Sequence, residues 1–289
     1  MKKIDLHLHV FPDDVPEEQL KGFATAKKMI THMNSLGIRK GVLMAGGEHT
    51  SVVGSFATNA DVKAITEKYP EQFAWMCNID ETDVDTIYDR LSCYKSQGAI
   101  GVGELMINKR IDHPFLETLF TAAESLDMPV TIHMSSEEGY KYGIVDEPGL
   151  PLLESLLQRH PNLKILGHSQ VFWIEISGDA PTEKEERYKT GKGPVIPGGR
   201  LIELFEKYPN LYGDLSANSA GNAIMRDPDF GLKFLETYSD RLFFATDMLS
   251  DSMVYPLGAW LDEQVSCGNL LTETYEKICF KNAQRIFGL

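Results

Sequence analysis

Ile4-Asp5-Leu6-His7-Leu8-His9-Val10 sets two imidazoles and a carboxylate into an apolar strand. Successive side chains of a strand point to opposite faces, so Asp5, His7 and His9 are expected on one face and Leu6, Leu8 and Val10 on the other. Residues two apart on a strand stand about 7 Å apart at Cα, within reach of one shared ion. A lone histidine on such a strand reads first as a satisfied core residue. Two beside a carboxylate need several partners or a cation before they can be buried.

Outward from this strand, short apolar, β-branched runs alternate with amphipathic stretches along the whole chain. Strands are expected near 3–10, 39–45, 73–79, 99–106, 129–134, 163–168, 211–216 and 241–247. Helices are expected near 17–36, 57–69, 83–97, 114–127, 149–160, 199–208, 228–239 and 272–287, several opened by Asp, Pro or Glu and stopped by Gly, Asn or Pro. Eight strand-helix repeats with no spare strand imply an α/β fold, a closed (β/α)8 TIM barrel forming a single domain over residues 1–289. A doubly wound open sheet is the alternative. It is weakened by His9-Val10-Phe11-Pro12 after the first strand, where a Gly-rich fingerprint would stand. The one long irregular stretch, 169–198, follows the sixth strand, and a loop of that length is usually functional or mobile. Its Gly191-Lys192-Gly193 follows no strand and reads as a solvated turn rather than a phosphate loop.

Composition narrows the function classes. Hydrophobic residues make up 43% and charged residues 24% of the chain, as in an ordinary globular protein with a sizeable core. No apolar run approaches the roughly 18 residues of a membrane span, and the start does not resemble a signal peptide, so a cytoplasmic location is expected. Cys77, Cys93, Cys267 and Cys279 are widely spaced and read as reduced packing residues, not zinc ligands. A net charge of −14 opposes non-specific attraction to nucleic acid or anionic membrane. The expected partner is a small-molecule substrate, with a homo-oligomer left open.

In a barrel, the carboxyl ends of the strands form the usable mouth. His7 and His9 end strand 1, Glu104 strand 4, His133 strand 5, His168 strand 6 and Asp247 strand 8. Taken singly, Glu104 could pair with an arginine, Asp247 could cap a helix and His168 could bond a loop carbonyl. Taken together, four imidazoles and two carboxylates converging on one mouth describe a divalent-metal site of one or two ions. Zn²⁺ is placed first, and Mn²⁺, Fe²⁺ and Co²⁺ are also compatible with the ligand types. His32, His49, His113 and His160 lie in helices or loops and are assigned to structure.

With these residues in view, the sequence resembles the amidohydrolase superfamily, closest to the amidohydrolase-related branch that includes aminocarboxymuconate semialdehyde decarboxylase-like proteins. The resemblance rests on Asp5-x-His7-x-His9, His133, His168, Asp247 in Ala245-Thr246-Asp247, and the closing Asn282-Ala283-Gln284-Arg285-Ile286-Phe287-Gly288-Leu289. It implies that His7, His9 and Asp247 hold the more buried ion. In two-metal members a strand 4 carboxylate, here Glu104, bridges to a second ion held by His133 and His168. In one-metal members His133 joins the first ion and His168 is catalytic. Gly101-Val102-Gly103-Glu104 departs from members with a carbamylated lysine and looks like TatD-type hydrolases.

The leading expectation is hydrolysis of a small amide- or ester-like substrate by a metal-activated water, with Asp247 as proton carrier and His168 polarising the carbonyl. Asp5 would orient a histidine from behind or simply be satisfied within the barrel. The alternative is a metal-dependent decarboxylase of a small carboxylate; its cationic clamp would come from Arg226, Lys141 or Arg187, which also read as surface charges. Phosphoester hydrolysis ranks third and a non-catalytic binding barrel last. Phe172 and Trp173 would frame the mouth, the Trp173 loop serving as a lid or dimer arm.

Overall fold

The computed structural model describes residues 2–49 and 56–289. Eight barrel strands run Lys3–Leu8, Ile38–Met44, Phe73–Met76, Val102–Leu105, Val130–Ser135, Ile165–His168, Leu211–Leu215 and Leu242–Phe244, called strands 1 to 8 below. Neighbours in this order pair in parallel. Two seams are closed by single bridges, Cys77 to Val102 between strands 3 and 4 and Leu8 to Met248 between strands 8 and 1. At the second seam Asp247 N–H donates to His7 O at 2.8 Å and His9 N–H to Met248 O at 3.0 Å. The sheet therefore closes as a (β/α)8 barrel. A two-residue strand, Ile144–Val145, lies along the end of strand 5.

Helices fall between the strands for readable reasons. Pro114, Pro151 and Pro228 each open a helix at its first turn, where a missing N–H costs nothing. Thr58 and Asp61 form a reciprocal capping box at the start of Asn59–Lys68. The helix expected over 17–36 is two pieces, Glu17–Leu20 and Ala26–Ser35, broken where Lys21 and Gly22 take left-handed backbone. Two further helices longer than one turn, Ala217–Met225 and Leu257–Ser266, were not foreseen, nor was the single turn Gln170–Trp173 inside the stretch expected to be irregular. The first is built largely from small and polar residues that give no clear apolar stripe. No helix among the described residues is long and apolar enough to cross a membrane.

Strict alternation fails in strand 1, and the failure positions the site. Asp5 pairs with Gly41 and Leu8 with Leu43, three steps against two, so strand 1 carries one extra residue. Before this bulge Ile4 and Leu6 join Val42, Met44, Met76, Leu166 and Phe243 in the barrel interior, sealed by Ala283 and Phe287. After it Leu8 and Val10 pack outward with Met29 and Met33. The inner position thus passes from Leu6 to His7, and Asp5 does not share a face with the two histidines as the strand pattern predicts. Strand 4 repeats the device: Val102 pairs with Val130 and Leu105 with Ile132, again three against two, around Glu104.

Candidate metal centre

The bulges and strand ends bring four side-chain atoms together. His7 Nε2 lies 3.1 Å from His9 Nε2, and each lies 3.3 Å from Glu104 Oε2. Asp247 Oδ1 stands 3.6 Å from His7 Nε2 and 3.4 Å from His9 Nε2. Ligands bonded at about 2.0–2.1 Å around a tetrahedral ion are separated by about 3.3–3.4 Å, which these spacings bracket. The other oxygen of Glu104 faces a second set: Oε1 is 2.6 Å from His133 Nδ1 and 3.4 Å from His168 Nε2. His168 Nε2 is also 3.6 Å from Asp247 Oδ2. All six residues named from the sequence as metal candidates therefore meet in one place.

A second layer fixes the rings. His7 Nδ1 is 2.7 Å from Asp214 Oδ2, and His168 Nδ1 is 2.7 Å from Ser216 Oγ. The carboxylate leaves His7 Nε2 facing the cluster. Of the two parts open to Asp5, the structure gives it the second, satisfaction within the barrel. Its carboxylate accepts the His7 backbone N–H at 3.1 Å and the Thr246 N–H and hydroxyl at 3.0 and 2.5 Å, tying strand 1 to the turn that carries Asp247. Asp247 itself sits at φ 59, a left-handed conformation that aspartate tolerates better than most residues. Sequence reasoning missed Asp214; its signal was a lone carboxylate inside the buried run Leu211-Tyr212-Gly213-Asp214-Leu215.

The electrostatics ask for a cation. Glu104, Asp214 and Asp247 crowd four imidazoles, and no lysine or arginine pairs with them among the described residues. Burial pulls the His7 imidazole down, yet Asp214, Glu104 and Asp247 outweigh it and carry it well above the ordinary histidine range. His9 is likewise raised against its burial by hydrogen bonds to Asp247 and Glu104. Burial wins at His168, which is lowered. Glu104 and Asp247, despite burial that opposes it, are held below the usual carboxylate range, His7 being the leading cause. Protons on the imidazoles stand where a divalent ion would compete, so the donor set fits a metal in number, type and charge.

Solvent reaches the cluster beside Asp247, 25% exposed, and His133, 14% exposed. Two aromatic rings flank it: Phe56 at 4.4 Å from the His9 ring and Tyr142 at 4.5 Å from the His133 ring. Tyr142 is 42% exposed; its partial burial, with Glu104 and Asp247 nearby, pushes its phenol up.

The three side chains expected to contact substrate are engaged elsewhere. Trp173 is 1% exposed and Phe172 fully buried, so neither is a lid. A Cβ on Gly167 would strike the Phe172 ring at 2.2 Å and one on Gly213 the Trp173 ring at 3.0 Å; both glycines make room for these rings inside the fold. Lys141 Nζ rests 4.0 Å over the Tyr188 ring. Arg226 donates to the Lys192 and Gly193 carbonyls at 3.2 and 3.4 Å. Arg187, which also read as a surface charge, is 1% exposed and donates to Asp146 O at 2.8 Å.

Comparison with known proteins agrees with this fold. Among solved structures, 2,6-dihydroxybenzoate decarboxylase from Rhizobium is 17% identical with a TM-score of 0.63, the match covering 100% of this chain and 99% of that one. The 5-carboxyvanillate decarboxylase of Novosphingobium aromaticivorans, complexed with manganese and 4-hydroxy-3-methoxy-5-nitrobenzoic acid, is 16% identical with a TM-score of 0.66 over 99% and 96%. A probable 2-pyrone-4,6-dicarboxylic acid hydrolase from Acinetobacter baumannii is 16% identical with a TM-score of 0.59 over 100% of both chains. No curated protein matches the sequence. The amidohydrolase family model matches residues 4–289, and the chain belongs to the amidohydrolase family.

Proposed function

We propose that this protein is a metal-dependent decarboxylase of a small carboxylate, in place of the hydrolase the sequence put first. The observation that carries the reading is the convergence of His7 Nε2, His9 Nε2, Glu104 Oε2 and Asp247 Oδ1 beside a buried His168. Structural neighbours that decarboxylate aromatic acids support it, and one of them holds manganese. A mixed imidazole and carboxylate set suits Mn²⁺ as well as Zn²⁺, so manganese moves ahead of zinc.

The bound ion would supply positive charge to hold the substrate carboxylate and to withdraw electrons from the carbon that bears it. His7, fixed by Asp214, and His9 hold one side of that position. Glu104 holds the floor between the two histidine sets. His168 Nε2 and Asp247 Oδ2, 3.6 Å apart at the open side, are placed to take a proton from solvent or from a substrate hydroxyl and pass it to the carbon that loses carbon dioxide. Ser216 keeps the His168 ring turned toward that task. The Phe56 and Tyr142 rings bound the site on two sides.

Hydrolysis is the second reading, favoured by the two oxygens of Glu104 facing two separate ligand sets. Elemental mass spectrometry on untagged protein, with and without Glu104→Gln, separates the two. About one equivalent of metal, kept in the variant, together with carbon dioxide release from an aromatic acid, is the expected result. About two equivalents falling to one, with ring opening of a pyrone and no carbon dioxide, would replace decarboxylation by hydrolysis.

A further inference from the structure

The charge around the mouth limits what the substrate can carry beyond the group that meets the metal. Every strand end in the cluster contributes an imidazole or a carboxylate, and Lys109, Arg110, Lys141, Lys184, Arg187, Lys189 and Arg226 on the loops after strands 4 to 6 and the helix after strand 7 are engaged with carboxylates, carbonyls or an aromatic ring. After strand 4, Lys109 pairs with Glu81 and Arg110 with Asp112 and Glu147. After strand 5, Lys141 lies over Tyr188, and on the long loop Lys184 pairs with Glu137 and Lys189 with Glu186. Arg187 is buried on Asp146 and Glu175, and Arg226 is spent on loop carbonyls beside an outer cavity of about 340 Å³ that also takes Lys192. Residues 247–256 after strand 8 contain no lysine or arginine, and residues 50–55, outside the described set, hold no charged residue.

What the mouth presents instead is a phenol and a ring wall. Tyr142 lies on His133, and the loop is pressed there: a Cβ on Gly143, at φ 110, would meet His133 Cδ2 at 2.8 Å. The same loop is tied from the far side by Tyr188, whose hydroxyl is 2.8 Å from Ser135 Oγ and accepts the Ser136 N–H at 3.1 Å. Opposite, Phe56 continues into Phe23 and Phe11 at centroid spacings of 5.2 and 5.4 Å.

Resting on the decarboxylase reading, we propose that the site takes a planar substrate with a single carboxylate, and that Tyr142 is the residue that recognises its uncharged remainder. A second carboxylate in this mouth would lose its hydration where, among the described residues, no lysine or arginine pairs with the cluster, and would face Glu104 and Asp247, a selection made by what the site refuses.

The test is isothermal titration of the manganese-loaded full chain with 2-hydroxybenzoate and with 4-hydroxyisophthalate, which differ by one carboxylate. Expected is at least about tenfold tighter binding of the monocarboxylate. Tyr142→Phe weakens 2-hydroxybenzoate several-fold with manganese content and melting temperature unchanged. Tyr142→Arg narrows or reverses the preference. Equal or tighter binding of the dicarboxylate by the unaltered protein overturns the inference while leaving decarboxylation standing. Binding of neither probe by protein that retains its manganese overturns both. The unaltered chain decides the matter even where an arginine at the site impairs folding.

Discussion

Charge is buried in two neighbouring regions of this molecule, and they are balanced differently. Under the long loop, Arg187 is enclosed with Asp146 and Glu175, 3.5 Å from the latter, and donates to the Asp146 and Glu147 carbonyls. Asp146 takes three backbone N–H groups besides, from Glu147, Leu152 and Leu153. At the strand ends, His7, His9, Glu104, His168, Asp214 and Asp247 are gathered as tightly, but the set contains no permanent cation. One region brings its own positive charge; the other leaves that place to a proton or an ion. Burying charge therefore does not by itself mark a functional site in this fold. A group of buried carboxylates with no permanent cation among them does.

Substitutions should separate the two regions. The largest effect is expected from Asp247→Ala, which removes the proposed ligand facing both histidine sets: bound manganese and turnover are lost together by elemental analysis and assay, while urea unfolding of the metal-free protein changes little. Arg187→Met should do the reverse, lowering stability by about 3–5 kcal/mol in urea titration because two carboxylates stay buried without their partner, with metal stoichiometry intact. Loss of metal in that variant would show that the regions are not independent. A smaller and graded effect is expected from acid. His7 and His9 are held above the ordinary histidine value of 6.5, so protons begin to displace the ion above that pH. Affinity should drop by about tenfold per pH unit for each imidazole that must give up a proton to bind. The arginine stays charged throughout this range, so the first region should be unmoved above the value of about 6 to which burial raises Asp146, and a melting temperature of the Asp247→Ala variant that is flat down to that pH would show it.

Much of this was legible from the chain. Eight alternations of strand and helix specify a barrel, and a barrel sends strand ends to one mouth, so His133, His168 and Asp247 could be gathered with His7 and His9 without knowing a contact. Where the reading failed, the reasons are physical. A bulge leaves no mark on the alternation of Ile4 to Val10, so Asp5 was placed on the wrong face. Gly167 and Gly213 look like turn or strand glycines until the rings they admit are seen, and Trp173 was put on the surface. Arg187 sits in the charged run Glu183-Lys184-Glu185-Glu186-Arg187-Tyr188-Lys189, whose composition reads as solvated throughout. Asp214 needed the converse logic: an acid within an apolar strand has a partner, but the chain does not say which.

The seam between strands 8 and 1 has a consequence in time as well as space. The hydrogen bonds that close the barrel there belong to the backbone of His7, His9 and Asp247 themselves, across 240 residues of chain. Loop closure over such a span is slow, and domains of this size commonly pass through intermediates. A nascent chain emerging from the ribosome therefore carries its two histidines long before it has anywhere to hold an ion, and the centre comes into being only when strand 8 has been made and has found the strand that was made first.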